Sequence, residues 1–131
     1  MVSKKKRAKI SILKSFAVAF QGVWTLIYNE RNFRFHLLVS AMVIAACFFF
    51  DVEKTEWLIV FLTIGLVLSV EALNASIEYI CDLIHPEYNT MVKMIKDVAA
   101  AAVILVAIVA VVIGCIIFIP YILQWKFGIL F

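Results

Sequence analysis

One stretch of the chain places polar side chains where an apolar helix would be expected: Glu71, Asn74, Glu78 and Asp82. At 3.6 residues per turn these four fall within an arc of roughly 80°, so they form a single polar stripe. A carboxylate at the centre of a membrane helix costs about 2.5–3.5 kcal/mol on the insertion scale, and such groups face protein, metal or water rather than lipid. A helix leaving the membrane would account for Asp82 and for part of Glu78. It accounts poorly for Glu71, because Ile80, Leu83 and Ile84 still lie beyond it. Two further acids flank the apolar segments: Glu30 in Asn29-Glu30-Arg31-Asn32, and Asp97 beside Lys96. Asp97 taken alone fits the dipole of a helix N-terminus equally well. Together, carboxylates and lysines at a membrane boundary suit a Mg²⁺–nucleotide. Mg²⁺ takes one or two carboxylates plus phosphate oxygens, and lysine meets phosphate as a point charge. With glycine only at positions 22, 65, 114 and 128, no glycine-rich phosphate loop can form. Nothing supports Ser/His/Asp hydrolysis. His36 and His85 read as a headgroup-level residue and a loop residue.

The elements that carry these groups follow from hydrophobic periodicity. Residues 1–9 form a basic tail. Ile10, Leu13, Phe16, Ala17, Phe20, Val23, Trp24 and Ile27 recur at three- and four-residue steps, opposite Ser11, Lys14, Gln21, Thr25 and Tyr28. Residues 10–29 are therefore expected to form an amphipathic helix on the membrane surface. Residues 30–125 hold three spans. The first runs from Phe33 to Phe50, and the second opens at Trp57 and ends at His85-Pro86. The third covers Val98 to Trp125, with Pro120 a candidate kink or stop. Residues 87–95 are either a polar connection or the first turns of the third helix, and residues 126–131 form a short tail. Glu71 lies roughly 21 Å along its helix from Trp57 and Glu78 roughly 31 Å. Against a hydrocarbon core of about 30 Å, the stripe begins inside one leaflet and ends at the headgroups.

Composition supports the same architecture. Hydrophobic residues make up 66% of the chain and charged residues 16%, with a mean hydropathy of +1.08. Soluble domains sit nearer 45–50% and 25%, so a soluble or disordered chain is excluded. Residues 1–34 hold eight Lys/Arg against Glu30 alone, whereas residues 35–131 hold four Lys/Arg against eight acids. The positive-inside rule then puts the N-terminus and the 85–97 connection in the cytoplasm. The Lys4–Arg7 run is a membrane flank rather than a nucleic-acid site. Lys14 breaks the early apolar stretch, so no signal peptide is expected. Cys47, Cys81 and Cys115 are widely spaced, odd in number and set in apolar runs, as small packing residues. No internal repeat suggests an inverted-repeat transporter.

Three separated motifs carry a resemblance. Asn29-Glu30-x-x-Phe33-Arg34, Glu71-x-x-Asn74-x-x-Ile77-Glu78-x-x-x-Asp82, and Glu87-Tyr88 followed by Lys96-Asp97-x-Ala-x-Ala-Ala-Val103 are similar to the small bacterial integral-membrane lipid kinases. This is the prokaryotic diacylglycerol kinase family, which includes the undecaprenol kinases of Gram-positive bacteria. The likeness covers roughly residues 10–123. It implies an all-α integral membrane protein of the bacterial cytoplasmic membrane, a homotrimer with active sites shared between chains. It also implies ATP as phosphoryl donor, Mg²⁺ as cofactor and a membrane lipid alcohol as acceptor. By resemblance Glu71 matches a catalytic base and Asn74 an active-site partner. Glu30 and Glu78 match metal and ATP ligands. Glu87, Tyr88, Asn89, Lys96 and Asp97 match nucleotide contacts, and Asp82, Lys14 and Arg34 are supporting candidates. Enterobacterial diacylglycerol kinases carry Arg at the position of Ser11, Tyr at Val18, Glu at His36 and Ser at Ala100. The departures resemble the Gram-positive branch and favour undecaprenol over diacylglycerol. A small transporter coupled through Glu71 and Glu78, and a non-catalytic membrane subunit, are the alternatives from other classes.

Overall fold

A computed structural model describes residues 12–128; the basic tail at 1–9, the first two positions of the surface helix and residues 129–131 lie outside the described residues. Four helices follow one another: α1 (Ile12–Asn29), α2 (Arg31–Phe50), α3 (Lys54–Ile84) and α4 (Thr90–Phe127). The last three are long and apolar enough to cross a membrane. At 1.5 Å per residue α2 is about 30 Å long, which matches one hydrocarbon core. By the same rise α3 reaches about 46 Å and α4 about 57 Å, so both extend beyond it.

The connections explain where the helices stop. A single non-helical residue, Glu30, separates α1 from α2, with φ −99° and ψ 110°. Arg34 stabilises the break: its Nη1 donates to the carbonyls of Ile27 (3.2 Å) and Tyr28 (2.8 Å) at the end of α1. Those carbonyls have no intrahelical partner, and a cation there also complements the helix dipole. At the opposite end of the bundle Asp51 adopts a left-handed conformation (φ 50°) after α2. A reciprocal capping box between Glu53 and Glu56 then starts α3. His85-Pro86 ends α3, as the sequence suggests.

The third span begins earlier than its uncharged stretch. It starts at Thr90 rather than Val98, because Asn89 caps it: the side-chain oxygen accepts from the N–H groups of Met91 (2.9 Å) and Val92 (3.3 Å). Residues 90–95 are thus the first turns of the helix rather than a connection. Pro120 does not end α4, which continues to Phe127. Proline removes one N–H, yet neighbouring helices make such a position tolerable in a membrane.

The helix α3 is the central element, packing against both α4 and α2, while α1 packs mainly against α2. Its buried positions, Val60, Val67, Glu71, Asn74, Ala75 and Cys81, recur at three-, four- and seven-residue steps and form one seam. The apolar core lies away from the polar stripe. Cys47, Val52, Val60 and Ile117 are buried there beneath Phe50, Trp57, Phe118 and Tyr121. The Tyr121 hydroxyl donates to Glu56 at 2.6 Å, which closes that end. Cys47 and Cys81 are buried free thiols and Cys115 is an exposed one, with no disulfide role. No residue of α1 is buried, and Phe16, Phe20 and Trp24 are all exposed. That is the form of a helix whose apolar face meets lipid.

Candidate active site

The polar stripe of α3 runs from buried to exposed. Glu71 retains 2% of its accessible surface and Asn74 6%; Glu78 is half-buried and Asp82 exposed. Glu71 therefore belongs to the packed seam and not to a helix end emerging into water. Its Oε2 atom has no hydrogen-bond partner, and neither has Oδ1 of Asn74. Buried polar atoms without partners cost roughly 1–3 kcal/mol each, more when charged, so a fold retains them where another molecule completes them. The amide nitrogen of Asn74 donates to Glu78 Oε1 at 3.1 Å, which orients the Glu78 carboxylate one turn above.

Glu30 enters the same group from the α1–α2 break. The Tyr79 hydroxyl donates a short hydrogen bond to Glu30 Oε1, tying the break to α3. His36, Glu78 and Glu30 all lie within electrostatic reach of the Glu71 carboxyl. Four sequence candidates (Glu30, Glu71, Asn74 and Glu78) thus assemble beside His36, which the sequence suggests only as a headgroup-level residue, and Tyr79, which sequence reasoning passed over. His36 sits two residues after Arg34 in the first turns of α2, where it resembles a headgroup-level side chain. Tyr79 follows Glu78 at an exposed position and shows no periodic signal. Only the bend at Glu30 brings it a partner 49 residues away in sequence.

The remaining candidates form a second, more exposed group. Lys96 donates to Asp82 at 2.5 Å, joining α4 to the end of α3, and Lys93 pairs with Asp97 at 2.5 Å one turn apart. Lys96 and Asp97 thus have separate partners and not each other. Lys96 also lies within electrostatic reach of Glu78, so the two groups adjoin. Glu87 and Tyr88 are exposed in the α3–α4 connection, and the backbone carbonyl of Glu87 meets His85 Nδ1 at 3.1 Å. Asn89 uses its oxygen to cap α4. Arg34 grips the end of α1, and Lys14 is exposed on α1.

Among the described residues no three His, Cys, Asp or Glu side chains form a ready-made cation cage. Mg²⁺ rarely uses one; it keeps one or two carboxylates, water and substrate phosphates. The donors present, with the unpartnered Oε2 of Glu71 among them, are the hard oxygens that such an ion takes.

Below this polar group an apolar groove of about 370 Å³ opens between α2, α3 and α4. His36 and Val67 line it, the latter one helical turn from Glu71, and it runs down past Val43, Ile64 and Ile113 to Phe118. The hydroxyls of Ser40 and Thr63 face it, yet both are satisfied by carbonyls of their own helices, His36 and Ile59. The lining therefore offers hydrocarbon contact and little else.

Comparison with known proteins bears on this arrangement directly. The family model for prokaryotic diacylglycerol kinase matches residues 17–118. An undecaprenol kinase of Bacillus subtilis (strain 168) is 39% identical over 121 residues, covering 92% of this chain and 98% of the relative. A diacylglycerol kinase of Synechocystis sp. is 36% identical over 115 residues, covering 87% of this chain and 66% of that protein. A diacylglycerol kinase of Escherichia coli (strain K12) is 34% identical over 106 residues, covering 80% and 86%. All the site residues discussed above except Lys14 fall within the matched span. A match over so much of the chain, on three membrane-crossing helices, places it in the prokaryotic diacylglycerol kinase family, as a multi-pass membrane lipid kinase.

Proposed function

We propose that the protein transfers the γ-phosphoryl group of ATP to the hydroxyl of undecaprenol at the cytoplasmic face of the bacterial membrane. The observation that carries this reading is Glu71: a carboxylate buried in the membrane seam, one oxygen unpartnered, directly above an apolar groove. A lipid alcohol lying with its chain in the groove presents its hydroxyl at that oxygen. Glu71 takes the hydroxyl proton as the alkoxide oxygen bonds to the γ-phosphorus, and the bond to the β,γ-bridging oxygen breaks to release ADP. Asn74 holds Glu78 in place, and Glu78 with Glu30 would hold the magnesium that accompanies the nucleotide. When bound, that ion supplies charge neutralisation for the phosphates. Lys96, Lys93 and Asp97, with Glu87–Asn89, line the approach from the aqueous side. The excess of lysine and arginine before residue 35 supports a cytoplasmic N-terminus. The family resemblance supports a homotrimer whose chains share sites, since one chain leaves the polar group open on its aqueous side. Undecaprenol is favoured by the extent of the Bacillus subtilis match and by His36. Diacylglycerol is the second reading, because two of the three relatives compared above are named diacylglycerol kinase.

A mixed-micelle assay with ATP tests the whole scheme. Undecaprenol is expected to show the highest kcat/KM, ahead of diacylglycerol and ceramide, and Glu71→Gln to lower kcat by about 10²–10⁴-fold with the chain still folded. A preference for diacylglycerol overturns the acceptor, and a fully active Glu71→Gln variant overturns the base.

A further inference from the structure

We propose that Tyr79 is a positioning residue of the kinase site: its hydroxyl holds the Glu30 carboxylate of the α1–α2 break in register with Glu78 on α3. The inference rests on the reading of Glu30 as a ligand of the cation–nucleotide complex.

The backbone of Glu30 is held on both sides, its N–H by the carbonyl of Leu26 and its carbonyl by the N–H of Arg34, which leaves the carboxylate itself unfixed. Glu30 is the lone non-helical residue between two helices, and its side chain makes no capping hydrogen bond to α2. Arg34 fixes the backbone of the break by holding the carbonyls of Ile27 and Tyr28, but it does not touch the carboxylate. The neighbouring Glu71 carboxylate repels that of Glu30 and does not hold it. The phenol of Tyr79 is the donor that holds it. Tyr79 follows Glu78 directly, so whatever positions α3 positions both. Glu78 is in turn held by Asn74. The bond uses Oε1 of Glu30, and a carboxylate keeps a second oxygen with which to meet a cation. A hydrogen bond to an ionised acceptor is among the stronger kinds, and a phenol donor also relieves some of the repulsion between neighbouring carboxylates. Tyr79 touches neither substrate in this arrangement and acts only through Glu30.

Tyr79→Phe removes the hydroxyl and keeps the ring. It is expected to raise the Mg²⁺ concentration giving half-maximal activity about tenfold, while kcat at saturating Mg²⁺ stays within about twofold. Two readouts apart from turnover accompany it. Mn²⁺ binding to the protein with ATP, followed by electron paramagnetic resonance, is expected to weaken by a similar factor. Amide hydrogen exchange at residues 30–34 in nanodiscs is expected to quicken. Combined with Glu30→Gln, the Tyr79→Phe change should add nothing further to the Mg²⁺ requirement. If Glu30→Gln raises the Mg²⁺ requirement but Tyr79→Phe leaves Mg²⁺ and Mn²⁺ affinity unchanged, the positioning role is wrong. If Glu30→Gln leaves affinity and turnover intact, the reading of Glu30 as a ligand is wrong and the proposal falls with it. A Tyr79→Phe variant that loses thermal stability while keeping its Mg²⁺ requirement marks the bond as purely structural and overturns the proposal.

Discussion

Among the buried residues Asn74 has the narrowest task. Its amide spans from the packed seam to Glu78, donating through nitrogen and leaving oxygen unpartnered. Asn74→Ala removes the donor without enlarging the side chain, so the seam still packs. The expected result is a fall in kcat/KM of about tenfold, the scale of one hydrogen bond to a charged acceptor, with little change in thermal midpoint. Steady-state kinetics beside a thermal melt check it. Glu71 and Asn74 were legible in the sequence because a carboxylate and an amide inside an apolar run have no cheap explanation in lipid. Tyr79 and His36 were not legible in the same way. An aromatic or a histidine near a membrane surface is commonplace, and only the folded structure brings Tyr79 to Glu30 and His36 into electrostatic reach of Glu71.

The ends of the elements, more than their middles, decide where the site's charges lie. The span cores were readable from hydropathy alone, because a stretch such as Val98–Trp125 has one explanation. The start of α4 was not, since residues 90–97 mix Lys93, Lys96 and Asp97 with Met and Val and carry no clear apolar stripe. The Asn89 cap and the Lys96–Asp82 ion pair commit them to helix. Asn89→Ala is therefore expected to cost about 1 kcal/mol at the start of α4 and to speed hydrogen exchange at Met91 and Val92. The transmembrane part of α4 should keep its protection, which exchange measured by mass spectrometry in nanodiscs would show.

Over the whole molecule, the polar groups of the candidate site gather at one end of the bundle because three helices of different length are aligned at their opposite ends. The capping box at Glu53, the Glu56–Tyr121 bond and the packing of Phe50, Trp57 and Phe118 fix that far end. By length, the nearer ends of α3 and α4 extend past a hydrocarbon core of about 30 Å, and these ends carry the charges. The span of α2 is the shortest and sets the fit to the bilayer. Turnover in reconstituted membranes is thus expected to peak near a hydrocarbon thickness of about 30 Å and to fall in thinner and thicker ones. Proteoliposomes made from lipids of graded acyl length, with the same headgroup, provide the measurement.

The one-residue break at Glu30 also has a mechanical meaning. Helix α1 is a rigid arm about 27 Å long, and Glu30 stands at its fulcrum. A rocking of the arm by 10° as headgroups crowd or thin would carry its far end through roughly 5 Å and move the carboxylate scarcely at all. A charge placed at the pivot is thereby insulated by geometry from a tilt of the surface helix.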